Sequence, residues 1–444
     1  MSTESNPLDS WIAGKIGLGQ ASLNRAALAD WQIDRLRQTV DWVRNNSAFY
    51  RDHLSTLSDK PLTSLDDIHA FPFTRAEDIA TDPLRFVCLS QSDISRVVTL
   101  DSSGTTSAPK RLFFSREDQE ITLDFFDHGL RLMAEAGDKV MILLPGDKPG
   151  SVGDLLFQAI PRFGGIPVLA GVPHDFAACA LLAAREAVTV IIGIPVQVLA
   201  IARHWRAMGW RCDHIRNVLL CSDNVSDAIC REISALWNCG IFQEWGMTEL
   251  GYGGGVDCSA HCGYHLQESD FLFEIVDLDS GRPLPPGQIG EIVVTTLTRR
   301  GMPLIRYKTG DLSRFLDGPC ACGSPLRRLD RIQTRKTGLL PVGDGQISMA
   351  SLDEILFAIP DIADFTASLC QDGQPPVLHI KACMANDRAF DALSRRTAIQ
   401  SALDTLSPLR AARESGLLRI EVDVLAERIP FGRRKRAITR EKTS

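Results

Sequence analysis

From Val97 to about Glu244 the chain alternates between short apolar runs and helical patterns, and nothing else restricts its fold as much. Residues 140–144, 166–169, 188–194 and 218–220 are strand-sized apolar runs bounded by Gly, Pro or Asp. Residues 176–185 and 227–237 between them carry helical spacing. Such alternation predicts parallel strands linked by crossover helices, a doubly wound sheet. Residues 271–277 and 290–296, joined by Gly- and Pro-rich turns, predict antiparallel β structure instead. Beyond residue 333, alternating runs at 377–381 and 418–422 flank a helix near 389–406. The expected class is α/β. A large N-terminal domain, residues 1–333, has doubly wound mixed sheets and a β subdomain; residues 334–444 form a small α+β domain.

At 444 residues the chain exceeds one ordinary core, which agrees with that division. Residues 23–57 read as helical with a break at Asn45-Asn46-Ser47, and Ser64 with Asp67 forms a capping-box pattern. A net charge of −7 argues against a generic nucleic-acid binder. The one basic run, Arg433 to Arg436 with Arg440 and Lys442, reads by default as a solvated end or weak anion patch. There is no basic-then-apolar leader pattern, and the longest apolar stretch, 187–194, is strand-sized. The expectation is a cytoplasmic protein, without membrane or nucleic-acid partners, whose 12 Cys are mostly buried reduced thiols.

Three stretches carry chemistry. The first, TLDSSGTTSAPKR from Thr99 to Arg111, hangs six small hydroxyl or glycine residues, Ser102-Ser103-Gly104-Thr105-Thr106-Ser107, between hydrophobic runs. Converging N–H and O–H donors with Lys110 suit a phosphate, although a solvated hairpin loop fits the composition as well. The G-x-x-x-x-G-K spacing of a Walker loop is absent. The second stretch is Gln243-Glu244-Trp245-Gly246-Met247-Thr248-Glu249, where an aromatic, a Thr and a Glu suit adenine, phosphate and Mg²⁺; a strand-to-turn transition is the alternative. The third, Tyr307-Lys308-Thr309-Gly310-Asp311, ends a turn in a carboxylate of the kind that grips a ribose diol.

In this order and at these separations the three stretches resemble the phenylacetate-CoA ligase family of the adenylate-forming superfamily. Residues 45–51, 64–68, 71–74, 295–306 and 329–332 are similar to further family patterns, so the resemblance covers nearly the whole chain. It implies a two-step reaction. A small, aromatic carboxylic acid and Mg-ATP give acyl-AMP and pyrophosphate, and the thiol of coenzyme A then displaces AMP. By position, Ser102, Ser103, Gly104, Thr105, Thr106 and Lys110 hold the β- and γ-phosphates. Trp245, Gly246 and the Ser222-Asp223-Asn224 turn take adenine, Thr248 the α-phosphate, Glu249 the Mg²⁺, and Asp311 with Arg335 the ribose. Residues 146–148 and 150–153 line the acid pocket, and a homodimer is the one assembly considered.

Cysteine spacing adds a metal. Cys258-x-x-His261-Cys262-x-x-His265 and Cys320-Ala-Cys322-Gly are two close groups about sixty residues apart, the arrangement of a structural zinc site; unrelated reduced thiols are the alternative. The resemblance selects Cys258, His265, Cys320 and Cys322, with His261 and Cys262 as substitutes. The chain also departs from the family. Ser107 replaces a Gly, Thr337 stands where an acidic hinge residue is expected, and no Gly-x-Asn-x-x-Pro signature follows. The C-terminal catalytic lysine should follow Gly432, but Arg433 does, with Lys435 two further on. The alternative function is therefore adenylyl transfer to a hydroxylated cofactor, or acyl transfer to another acceptor without coenzyme A.

Overall fold

The computed structural model describes residues 6–19, 21–57, 61–100, 109–210, 212–332, 334–335, 338–360, 362–371, 375–384, 392–425 and 436–441. It has two compact units, each assembled from separate stretches of chain. The first contains Met1–Gly137, Pro145–Gly165 and Glu244–Ile332; the second contains Asp138–Leu144, Ile166–Gln243 and Gln333–Ser444. One cut falls at Ile332/Gln333, and the division into domains 1–333 and 334–444 stands as a proposal beside these units.

In the first unit the helix Arg25–Asn46 starts where the Asn24 side chain accepts from the Ala27 N–H. Leu28, Leu36, Val40 and Val43 recur at helical spacing and are buried. The helix stops at Ser47, whose hydroxyl caps the next helix, Ala48–His53. Tyr50 is fully buried there, donating or accepting at Thr74 Oγ1 (3.0 Å) and accepting from the Ile305 N–H (2.8 Å). The antiparallel hairpin Ile94–Leu100 with Lys110–Ser115 pairs Leu100 with Lys110, so the two ends of the 101–108 connection are neighbours. Residues 271–276, 290–296 and 307–313 pair antiparallel, with Phe271 opposite Thr296; the pairing of the first two is the antiparallel structure expected from the sequence.

In the second unit the strands Ile166–Leu169, Lys139–Ile142, Val190–Gly193, Asn217–Leu220 and the start of Gly240–Gly246 are parallel neighbours in that spatial order. Val190–Gly193 is buried throughout, as expected of a strand covered on both faces. The crossover helices have readable starts: Asp175 caps Phe176–Arg185, and Ser226 caps Asp227–Trp237. The C-terminal stretch adds a four-stranded mixed sheet and helices Met349–Leu356, Ala392–Leu403 and Ser407–Glu414. It shares one apolar core with those crossover helices, in which Trp205, Trp237, Leu356, Phe357 and Phe365 are buried. Arg203 crosses this core, pairing with Glu232 and donating to the carbonyls of Phe357 and Ile362. The α/β class with mixed sheets is thus as expected. Among the described residues no helix is long and apolar enough to cross a membrane.

Candidate active site and metal centre

Strand pairing brings Lys110 to the base of its hairpin, and the single turn Thr248–Leu250 follows the strand Gly240–Gly246. Glu249 thereby points inward, 4% exposed. It forms an ion pair with Lys110 and accepts from the Tyr307 hydroxyl at 3.1 Å; Lys110 Nζ is also 3.4 Å from that hydroxyl. Burial alone would raise the Glu249 pKa, but the Lys110 ammonium and the hydrogen bonds outweigh it and hold the carboxyl below its usual range. Tyr307 moves the other way, its pKa pushed well up by burial and by the Glu249 charge, so it remains a donor. From behind, the buried Arg299 guanidinium donates to the Glu249 carbonyl and lies 4.9 Å over the Phe114 ring.

A second contact ties the second and third stretches again within the same unit. The Trp245 indole N–H donates to Asp311 Oδ2 at 3.1 Å, and both residues are buried. The Trp245 ring also packs edge-on to Phe273. Backbone space is tight beside it: a Cβ on Gly246 would lie 2.2 Å from Glu244 Oε1 and 2.7 Å from the Tyr252 carbonyl. Thr248 is half-buried at the start of its turn. Near the expected acid pocket, Gly150 borders a cavity of about 10 Å³ with Arg96, Val98, Phe114, Gln119 and Tyr252, room for about one water.

The remaining expected residues are placed separately. In the second unit Ser222 is exposed at φ +71°, Asp223 Oδ1 accepts from the Asn224 N–H (2.8 Å), and Asp223 Oδ2 accepts from the Arg436 N–H (3.1 Å). Arg335 is exposed on the short strand Thr334–Arg335. Ser102, Ser103, Gly104, Thr105, Thr106, Arg433 and Lys435 lie outside the described residues. The sequence reading quoted Tyr307 without giving it a role and missed Arg299. A tyrosine opening an otherwise nucleotide-type motif, and an arginine in a run that must become buried, are the signals that were available.

The cysteine motifs do converge. One ligand atom each from Cys258, His265, Cys320 and Cys322 lies within 4.8 Å of the others. Cys258 Sγ and Cys320 Sγ are 3.7 Å apart, and Cys322 Sγ is 3.3 Å from His265 Nε2. A tetrahedral metal with sulfur bonds of about 2.3 Å requires sulfur–sulfur edges of about 3.8 Å, so the donors already have the right spread. Burial, then the Arg328 charge, pushes the His265 pKa down to about 4, leaving a neutral imidazole fit to be a ligand. Burial and the neighbouring sulfurs raise the Cys258 thiol, whereas hydrogen bonds from Cys322 outweigh burial and pull Cys320 down. A divalent cation would relieve this crowding of thiols. Arg328 donates to the carbonyls of Cys262, Asp317, Gly318 and Pro319, fixing both arms of the cluster. His261 instead pairs with Asp257 at 2.9 Å, and Cys262 is exposed.

Comparison with known proteins fits this geometry. Residues 95–298 match the family model described as AMP-binding enzyme. Together with the relatives below, this match indicates an adenylate-forming ligase, and the chain resembles the phenylacetate-CoA ligase family. It is 28% identical over 357 residues to the phenylacetate-coenzyme A ligase of Thermus thermophilus, covering 77% of this chain and 78% of that protein. To the phenylacetate-coenzyme A ligase of Escherichia coli it is 25% identical over 334 residues, 73% and 74% of the two chains. Among solved structures, a 2-hydroxyisobutyryl-CoA ligase in the postadenylation state superposes with a TM-score of 0.75 at 18% identity, covering 94% of this chain and 89% of that one. That likeness is one of fold.

Proposed function

We propose that the protein activates a small carboxylic acid, aromatic by analogy with its phenylacetate-activating relatives, as the acyl-adenylate and passes the acyl group to coenzyme A. The observation that carries the reading is the Lys110–Glu249–Tyr307 cluster, in which Glu249 and Tyr307 are buried, together with the Trp245–Asp311 pair in the same unit. Attack of a carboxylate on the α-phosphorus of ATP brings anions together, so cations and donors must offset the charge. Lys110 is assigned to the phosphates with Ser102 to Thr106, and Thr248 to the α-phosphate. Asp311 and Arg335 are each assigned to the ribose, Trp245 and Gly246 to adenine, and the Trp245 N–H also donates to the Asp311 carboxylate. The Ser222–Asn224 turn is assigned to adenine, and the Gly150 end of the first unit to the acid.

Glu249 is an anionic oxygen donor suited to Mg²⁺, which when bound would neutralise phosphate charge during adenylation. Arg433 or Lys435 is the cation assigned to the developing charge from the C-terminal stretch. Cys258, His265, Cys320 and Cys322 are assigned to a structural zinc with a closed shell. The departures at Thr337 and Arg433 support a second reading, in which an acceptor other than coenzyme A receives the acyl or adenylyl group.

Pyrophosphate–ATP exchange across a panel of carboxylic acids tests the first step, with aryl acids expected to support it best. No exchange with any acid would sink the reading. Adding coenzyme A to the active pair should yield acyl-CoA; continued exchange without acyl-CoA would favour the second acceptor.

A further inference from the structure

The geometry points to Glu291 as a positioning residue of the nucleotide site: it braces a bulge in the strand Tyr307–Ser313 and so sets the aim of Asp311. Glu291 lies in Gly290–Thr296, a strand buried along its whole length, and is itself only 4% exposed. A carboxylate rarely sits in such a strand unless its charge and its oxygens are both engaged. Here both are. Glu291 Oε2 forms an ion pair with Lys308 Nζ at 3.0 Å, and Glu291 Oε1 accepts from the Gly310 N–H at 3.2 Å.

The reason for the brace is in the register. Between the facing pairs Glu291–Leu312 and Val293–Lys308, one strand has the single residue Ile292 and the other has Thr309, Gly310 and Asp311. Two extra residues must leave the ladder, and a bulge of this kind re-aims the side chains it carries. Gly310 turns the chain with φ +78°, a left-handed conformation that glycine adopts without strain. That turn leaves the Gly310 N–H without its ladder partner, and Glu291 supplies the acceptor. Thr309 Oγ1 is a second brace, donating to the Ile292 carbonyl at 2.9 Å and accepting from the Asp311 N–H at 3.1 Å. Lys308, the counter-charge, lies 4.7 Å over the Phe73 ring. Asp311 emerges with its carboxylate held by Trp245, so its position is fixed from the backbone side by Glu291 and Thr309 and from the tip by the indole. This rests on the assignment of Asp311 to the ribose diol.

The test compares dissociation constants for ATP and 2′-deoxy-ATP, with Tm, on the full chain. Asp311→Ala should reduce ATP binding to the level of the deoxy analogue, a loss of roughly tenfold or more for hydrogen bonds to a charged acceptor. Glu291→Met, which keeps the side-chain volume and removes the acceptor, should lower the ATP to 2′-deoxy-ATP preference by at least about fivefold. Glu291→Gln, which keeps an oxygen for the Gly310 N–H, should recover most of the preference although Lys308 loses its counter-charge. Thr309→Val removes the other brace and should shift the preference in the same sense, which keeps the inference testable if the Met variant does not fold. A preference left intact in Glu291→Met or Thr309→Val, whatever happens to Tm, would make Glu291 a merely structural residue and overturn the inference. A preference unaltered by Asp311→Ala has a different signature: it removes the ribose assignment itself, and this inference falls with it.

Discussion

Glu249 is a buried carboxylate kept ionised by one ammonium, and its energetics follow from that. Removing one partner of a buried pair costs about 3–5 kcal/mol because the other charge is stranded, whereas replacing both costs far less. Lys110→Met is therefore expected to destabilise the protein by about that amount, and Lys110→Met with Glu249→Gln by clearly less. Urea denaturation of the four proteins of the cycle measures it, and equal losses in the single and double variants would contradict the pairing. The pair was only half legible in the sequence. Lys110 and Glu249 stood out as residue types within motifs, but 139 residues separate them and no spacing rule says that they meet. Trp245 stood out for its ring, as a flank for adenine, and the fold adds a contact that its type did not announce, the indole N–H donating to Asp311. Glu291 was passed over inside the run GEIVV, although a lone acid in a buried strand is a readable anomaly.

Among the elements, strands and their partners were legible wherever periodicity and turn residues agreed, as at Phe271–Val276 and Gly290–Thr296. The bulge at Thr309–Asp311 was not, because the count of residues facing one another belongs to the paired strands and to neither sequence alone. The cysteine motifs are intermediate. Their spacing indicated two pairs, and the fold brings them together through pairing of Tyr264–Leu266 with Arg328–Leu329, which sets His265 opposite Arg328. A closed metal shell there would cross-link the two segments and add its binding free energy to folding. Purified protein is expected to contain about one zinc per chain, and Cys320→Ser to lose metal and thermal stability together. Elemental analysis alongside a melting curve checks this. Fully folded wild-type protein, purified without chelator and free of metal, would contradict it. In the holoprotein, exposed Cys262 should react first with a thiol reagent, ahead of Cys258 and Cys320.

Over the whole molecule, the C-terminal stretch is bound into the second unit by charge as well as by its core. Arg436 is half-buried between Asp353 and Asp364, and its guanidinium lies 4.5 Å over the Phe365 ring. One cation faces two carboxylates, with Asp223 also near. Burial wins at Asp353, raising its pKa from 3.8 to about 7 despite Arg436, and it raises Asp364 too. A carboxyl whose folded pKa is raised binds its proton more tightly when folded, so stability falls as pH rises between about 4 and 7 and is level above. Asp353→Asn should flatten that part of the stability-against-pH curve measured by urea denaturation. A variant curve parallel to wild type would remove Asp353 as its source.

The interleaving of the two units also has a consequence during synthesis. The ribosome delivers residues 138–144 and 166–243 well before 333–444, yet all three stretches build a single core. Until the last stretch emerges, Trp205 and the helix carrying it lack the Phe357 and Ile362 carbonyls that Arg203 will hold, and Asp223 lacks the Arg436 N–H. The stretches of the first unit are all delivered by Ile332. A nascent chain stalled near that residue should therefore carry one finished body and one with its apolar side open, which is the moment at which a chaperone would be needed most.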